Sequence, residues 1–198
     1  MPALNLLSDP TLAAARAQVE DRLHRWADGL DAPGFADLLD PLMRQTLSGA
    51  FRWVGADEGT VWLADEPDRS LVAVFNTGPD AERLIGFRQP LNKGIVSLVY
   101  ANEQAYCENE IANREKHDST LDKKLGNRTG AMVAVPFYFA YGLRGVISCV
   151  QFAPAGEAVA AATGFDSRHV REVAGAATLV ERLIDGRLLA AALGMDHA

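Results

Sequence analysis

The chain has little with which to do covalent or metal chemistry. Its 198 residues include only two cysteines, Cys107 and Cys149, and four histidines. The cysteines make no CxxC pair, and nothing in their number or spacing suggests a disulfide framework. His24, His169 and His197 fall on helices or the tail by pattern. His117 stands alone in the charged run Asn113–Asp118, where a solvated role is expected over ligation. No GxSxG, HExxH or phosphate-binding loop is present. Long hydrophobic runs are missing too. The longest, Ala131–Tyr141, is broken by Pro136 and falls well short of the roughly 20 residues that cross a bilayer. Met1–Ser8 has no charged n-region or cleavage site, so a cytoplasmic location is expected. A net charge of −7 argues against broad nucleic-acid or anionic-membrane binding.

What is present is an ordinary globular composition, with 48% hydrophobic and 23% charged residues. One domain with a sizeable core is the natural reading. Asp9-Pro10 is a helix start, with a capping carboxylate followed by proline. Leu12, Val19, Leu23, Trp26 and Leu30 then form a narrow seam suited to one partner helix, and Pro33-Gly34 is expected to stop it. From Phe35, a wide stripe through Leu38, Leu39, Leu42, Thr46, Leu47, Ala50 and Val54 predicts a second helix lying flat on a sheet. Strands are predicted at Thr60–Ala64 and Leu71–Phe75, with a third over Ile85–Leu91. Ile95–Ala101 reads as a short helix with free first-turn amides. Ala105–Cys107 is briefly extended, and the polar stretch Glu108–Arg128 is expected to cover one sheet face. Ala131–Phe139 and Gly145–Phe152 read as a buried hairpin around a tight turn at Ala140–Arg144 containing Gly142. After a small-residue loop, Asp166-Ser167 opens a last helix with a seam at Val170, Val173, Ala177, Val180, Ile184 and Leu188. Trp53 and Trp62 are expected in the core.

The run Asp122–Phe152, DKKLGNRTGAMVAVPFYFAYGLRGVISCVQF, resembles the GAF domain, a small-molecule sensor module of phosphodiesterases, cyclases, phytochromes and bacterial regulators. Asp122, Gly126, Arg128-Thr129, Pro136 and Gly145 carry the match. GTVWLAD, LVAVFNTG, LNKGIVSLVYANEQAYCEN and GFDSRHVREVAG extend it over Phe35–Leu188. The resemblance implies an α+β fold: a central antiparallel sheet, helices on one face, a helix and loop lid on the other, and terminal helices for dimerisation. With the helix read before it, the expected organisation is an N-terminal helical arm over 1–33, a domain over 34–165 and a C-terminal helix over 166–198.

The same resemblance implies a ligand between sheet and lid. Thr60, Phe75 and Asn76 would contact it from the first two strands, and Ile95 and Val96 would offer backbone N–H groups to a phosphate or carboxylate. Asp118, Asp122, Leu125 and Thr129 would line the lid, and Ser148 the last strand. Nucleotide binders carry Asp where this chain has Asn76, an aromatic for Asp118, Thr for Leu125 and an acid for Ser148. The closing family signature survives only as Gln151-Phe152, Phe165 and Asp166-Ser167. Cyclic nucleotide is therefore not the favoured ligand, and the cofactor is left unspecified.

Catalysis is not expected. A methionine sulfoxide reductase of this type uses several cysteines near the lid, and bilin attachment needs a partnered cysteine; neither arrangement is present. The favoured reading is a sensory module that homodimerises through its terminal helices and signals to a separate output protein. The alternative is a dimerisation or docking module with its pocket filled by side chains. The thiol reductase ranks last.

Overall fold

In a computed structural model of the protein, residues 10–111, 128–153 and 164–195 are described. Helix α1 (Pro10–Asp28) is followed by α2 (Ala32–Leu38) and α3 (Pro41–Trp53). Strands β1 (Glu58–Asp65) and β2 (Ser70–Asn76) come next, then α4 (Ala81–Leu84), β3 (Arg88–Pro90), α5 (Gly94–Asn102) and β4 (Tyr106–Glu108). Strands β5 (Thr129–Phe139) and β6 (Gly142–Phe152) precede the long helix α6 (Ser167–Ala192).

The predicted helix from Phe35 to Val54 is two helices meeting at a corner. Asp40 leaves the helical conformation and its carboxylate accepts the Met43 amide at 2.8 Å, with Pro41 opening α3. A capping Asp followed by Pro starts a helix more strongly than the apolar stripe continues one. Pro33-Gly34 likewise sits inside a helix start, because Asp31 caps α2 through the Gly34 amide at 2.9 Å. Arg44 then locks the corner by donating to the carbonyls of Leu39 and Ala36.

The strands form one antiparallel sheet in the order β3-β2-β1-β6-β5-β4. One face is covered by α1, α2, α3 and α6. Their buried residues, among them Phe35, Leu47, Phe51, Val180 and Ile184, share one core with Val61, Val133, Ile147 and Cys149 of the sheet. Leu23 and Ala27 of α1 belong to this core as well, so the N-terminal arm is packed into the domain and not beside it. The close approach of α3 depends on Gly59, since a Cβ there would lie 2.0 Å from the Phe51 ring. The opposite face carries a smaller core in which Leu84, Ile95, Val96 and Val99 meet Trp62, Leu71, Ala73, Ala134 and Val146.

Other local expectations shift. The strand expected over Ile85–Leu91 is cut to the three residues of β3, Arg88–Pro90, which follow α4 and a turn at Ile85-Gly86. The β5–β6 hairpin turns on Ala140 and Tyr141, whose φ angles are 47° and 61°, and Gly142 is already in β6. Both central residues in left-handed conformation make the tight two-residue turn that matches strand twist. Trp53 is 71% exposed, contrary to expectation, because the inward face of α3 is filled by Met43, Leu47 and Phe51. No helix among the described residues is long and apolar enough to cross a membrane.

Candidate functional site

The α5 face of the sheet carries a polar row in otherwise apolar surroundings. Thr60 on β1 lies opposite Asn76 of β2 and Ser148 of β6, and Ser148 lies opposite Ala134 of β5. Thr60, Asn76 and Ser148 are all buried. Their side chains alternate with residues of the helical-side core, which fixes the face: Val61 and Ile147 point one way and Thr60 and Ser148 the other.

Each of the three is partly satisfied. Asn76 Nδ2 donates to Thr60 Oγ1 at 2.9 Å, while its Oδ1 accepts the Gly78 amide at 2.7 Å. Trp62 Nε1 donates to Ser148 Oγ at 2.9 Å. A hydroxyl that accepts one bond keeps its own O–H to donate. Thr60 and Ser148 therefore present two donors side by side. Asn76 acts first as the brace of the turn after β2.

Phe75 does not join this row. Between β1 and β2 the register slips, so that Val61 faces Phe75 and Trp62 faces Ala73, leaving Val74 as the extra residue of a bulge. A bulge turns two successive side chains to one side. Val74 and Phe75 both enter the helical-side core, where the Arg44 guanidinium sits 5.6 Å from the Phe75 ring centre. Without the bulge, alternation would have carried Phe75 onto the same face as Ala73.

Ile95 and Val96 occupy the first turn of α5, and their side chains pack into the small core with Trp62. Lys93, at the N-cap of α5, makes no side-chain cap hydrogen bond to this helix start. Thr129 is buried at the start of β5 opposite Phe152, further along the face that holds Ser148. Asp118, Asp122 and Leu125, together with His117 and Gly126, lie outside the described residues.

Two residues on this face were not singled out from sequence. Trp62, expected only as core, brings its indole N–H to Ser148. Glu58 is 5% exposed and opposite Val150. Gly59 faces Phe51 of α3, so Glu58 and Thr60 share the other face. The period-two spacing Glu58, Thr60, Trp62 was the available signal.

Both cysteines lie towards the helical side. Cys149 is in that core and Cys107 packs against it. Both are paired to Val133, from opposite sides, which separates them by two strand spacings, roughly 10 Å. A disulfide needs Cα atoms within about 7 Å. Burial pushes both thiols above their ordinary pKa, and for Cys107 the nearby Asp166 and Glu108 add to it. No group of three or more metal-ligating side chains occurs among the described residues.

A separate cavity of about 610 Å³ opens at the far end of the sheet, between the α1–α2 connection and the β1–β2 turn. Its charged groups are engaged with one another or the backbone. Arg144 meets Asp28 at 2.6 Å, Arg88 meets Asp65 at 2.6 Å, and the Tyr100 hydroxyl donates to Glu66 at 2.5 Å. Among the described residues, none of those expected at the ligand site lines it.

No protein-family model and no curated protein matches the sequence. Solved structures do. The GAF domain of a phosphoenolpyruvate-protein phosphotransferase from Coxiella burnetii superposes with a TM-score of 0.59 at 14% identity, covering 90% of this chain and 95% of that one. The GAF-B domain of DevS from Mycobacterium smegmatis gives 0.56 at 16% identity, covering 79% of this chain and 100% of that one. The free methionine-R-sulfoxide reductase of Neisseria meningitidis, solved in complex with its substrate, gives 0.55 at 17% identity, with coverages of 94% and 99%. The chain has the GAF fold.

Proposed function

We propose that this chain is a cytoplasmic sensory module that binds a small molecule on the α5 face of its sheet. The carrying observation is the buried row Asn76, Thr60 and Ser148, two of whose members keep a hydroxyl donor. Leaving such groups unanswered costs about 1–3 kcal/mol each, so a polar row in an apolar face points to a polar occupant. The α5 amides, with Ile95 and Val96, would receive an acceptor group of the same ligand. Thr129, Asp118 and Asp122 complete the proposed set, and Phe75 supports it only from behind the sheet. Asn76 and Ser148, where nucleotide binders carry acids, favour a ligand other than a cyclic nucleotide.

The module is non-catalytic in this reading. Two protonated, separated thiols on the helical side supply neither a nucleophile nor a resolving partner to the α5 face. Its output runs through α1 and α6 to a second copy and to an output protein. Trp26, Leu179, Leu189 and Leu193 are exposed apolar residues on or adjoining these helices, as a helical homodimer seam would have. The docking-module alternative is favoured by Ile95, Val96 and Val99, which already fill part of the α5 face.

A thermal-shift screen of metabolites and nucleotides, followed by calorimetry on parent, Thr60→Val and Ser148→Phe, tests this reading. A ligand should bind the parent, bind Thr60→Val more weakly and fail to bind Ser148→Phe. A ligand bound equally by all three places the site elsewhere.

A further inference from the structure

We infer that the cavity at the far end of the sheet is a second binding site, and that it takes an α-amino acid with an apolar side chain. This site lies apart from the α5 face and does not depend on the reading of that face. The cavity holds about 610 Å³, within the range of small-molecule sites. Its apolar wall includes Leu30 of the α1–α2 connection and Leu63, Val72 and Leu143 of the sheet. Arg144 reaches it from a bulge. Phe137 faces Gly145 and Tyr138 faces Leu143, which leaves Arg144 as the extra residue of β6.

The Arg144 guanidinium is only half engaged. Its Nη1 donates to Asp28 Oδ1 at 2.6 Å, while its Nε is buried with no hydrogen-bond partner among the described residues. A guanidinium with an unused Nε–H suits a carboxylate, which can take Nε–H and an Nη–H side by side. An anion alone does not suit the wall, which carries four acids, Asp28, Asp31, Asp65 and Glu66, against two arginines. Arg144 pairs with Asp28, and Arg88 with Asp65. Asp31 and Glu66 meet neutral donors instead, the Gly34 amide and the Tyr100 hydroxyl, and an ionised carboxylate can accept further bonds. A carboxylate at Arg144, an ammonium towards Asp31 or Glu66 and an aliphatic or aromatic side chain over the leucines answer all three features together. Such a ligand would tie the end of α1 to the sheet.

Calorimetry on the full chain with leucine and phenylalanine tests the inference. The comparison ligands are isocaproate and hydrocinnamate, which lack the amine, and isoamylamine and phenethylamine, which lack the carboxylate. At least one amino acid should bind, and its counterparts lacking either charge should bind about tenfold more weakly or worse. Arg144→Lys keeps a charge for Asp28 but loses the planar fork, and should weaken amino-acid binding about tenfold or more. The double variant Asp31→Asn, Glu66→Gln keeps a cap for α2 and an acceptor for Tyr100 while removing both charges. It should weaken amino-acid binding and narrow the margin over the amine-free acid, and it carries the test should Arg144→Lys not fold. The exposed control Arg168→Gln should bind as the parent does. Binding of neither amino acid overturns the inference. So does an amino-acid affinity that either folded variant leaves unchanged. An amino acid lost in Ser148→Phe but kept in both variants belongs to the α5 face, so this inference fails while that reading stands. An amino acid kept in Ser148→Phe and weakened in both variants supports this site whatever the α5 face binds.

Discussion

The indole Nε1 of Trp62 donates to Ser148 Oγ at 2.9 Å across β1 and β6, joining the small core to the polar row of the candidate site. Trp62→Phe removes that donor and some packing while keeping an aromatic against Phe87. We expect a stability loss of about 1–2 kcal/mol, read as a lowered midpoint in urea with an unchanged slope. A variant as stable as the parent would mean that the bond carries no net weight.

The helix α6 holds the end of β5, beyond its pairing with β4, through its carboxylates. Glu181 accepts the Tyr138 amide at 2.8 Å and Asp185 accepts the Ala140 amide at 2.6 Å. Burial raises the Glu181 pKa above the ordinary carboxylate value, with Asp185 adding to it and the Tyr138 amide opposing. The folded state then binds the proton more tightly than the unfolded chain. Stability from this group is present below the ordinary value near 4.3 and is lost as pH rises through the raised one. Glu181→Gln keeps a carbonyl for Tyr138 and removes the charge. Its Tm should fall less than the parent's as pH rises from about 4; parallel curves would contradict this.

The hairpin turn offers a stabilising change. Tyr141 is 70% exposed with φ 61°, a conformation costing a non-glycine residue roughly 1 kcal/mol. Among the described residues its ring has one aromatic neighbour, His24, at 6.0 Å. Tyr141→Gly should raise the thermal midpoint by a few degrees. A lower midpoint would show that the His24 contact outweighs the turn.

Association through the helix pair is testable without disturbing the fold. Trp26 is 51% exposed and Leu193 is 52% exposed, so Trp26→Asp and Leu193→Asp should weaken the proposed homodimer while leaving Tm at low concentration near the parent's. Light scattering over a concentration series reads this directly. Unchanged mass in both variants would remove the dimer seam from these helices.

The sheet and its two covering layers were legible because they rest on period and punctuation. The β-rich run Thr60–Ala64, the apolar run at Ala131–Phe139 and the Asp166-Ser167 cap each point to a single local structure. The Asp40-Pro41 corner was also written in the sequence, as a cap inside an apolar stripe, but the stripe dominated the reading. Phe75 was not legible. Its face is decided by one extra residue in a strand of uniformly buried residues, Leu71–Phe75, and such a run carries no alternation to show where a bulge falls. Glu58 was hidden by its position at the strand edge, where a carboxylate reads as solvent-facing.

The central claim is that a small molecule occupies the face bearing Ser148 and Trp62, and the indole N–H resonances test it most directly. The chain has three tryptophans, of which Trp26 and Trp53 are exposed and Trp62 is buried against Ser148. Titrating labelled protein with a ligand from the metabolite screen should move the Trp62 Nε1–H signal saturably and leave the other two in place. A saturable shift at Trp26 or Trp53 with Trp62 unmoved would contradict the account.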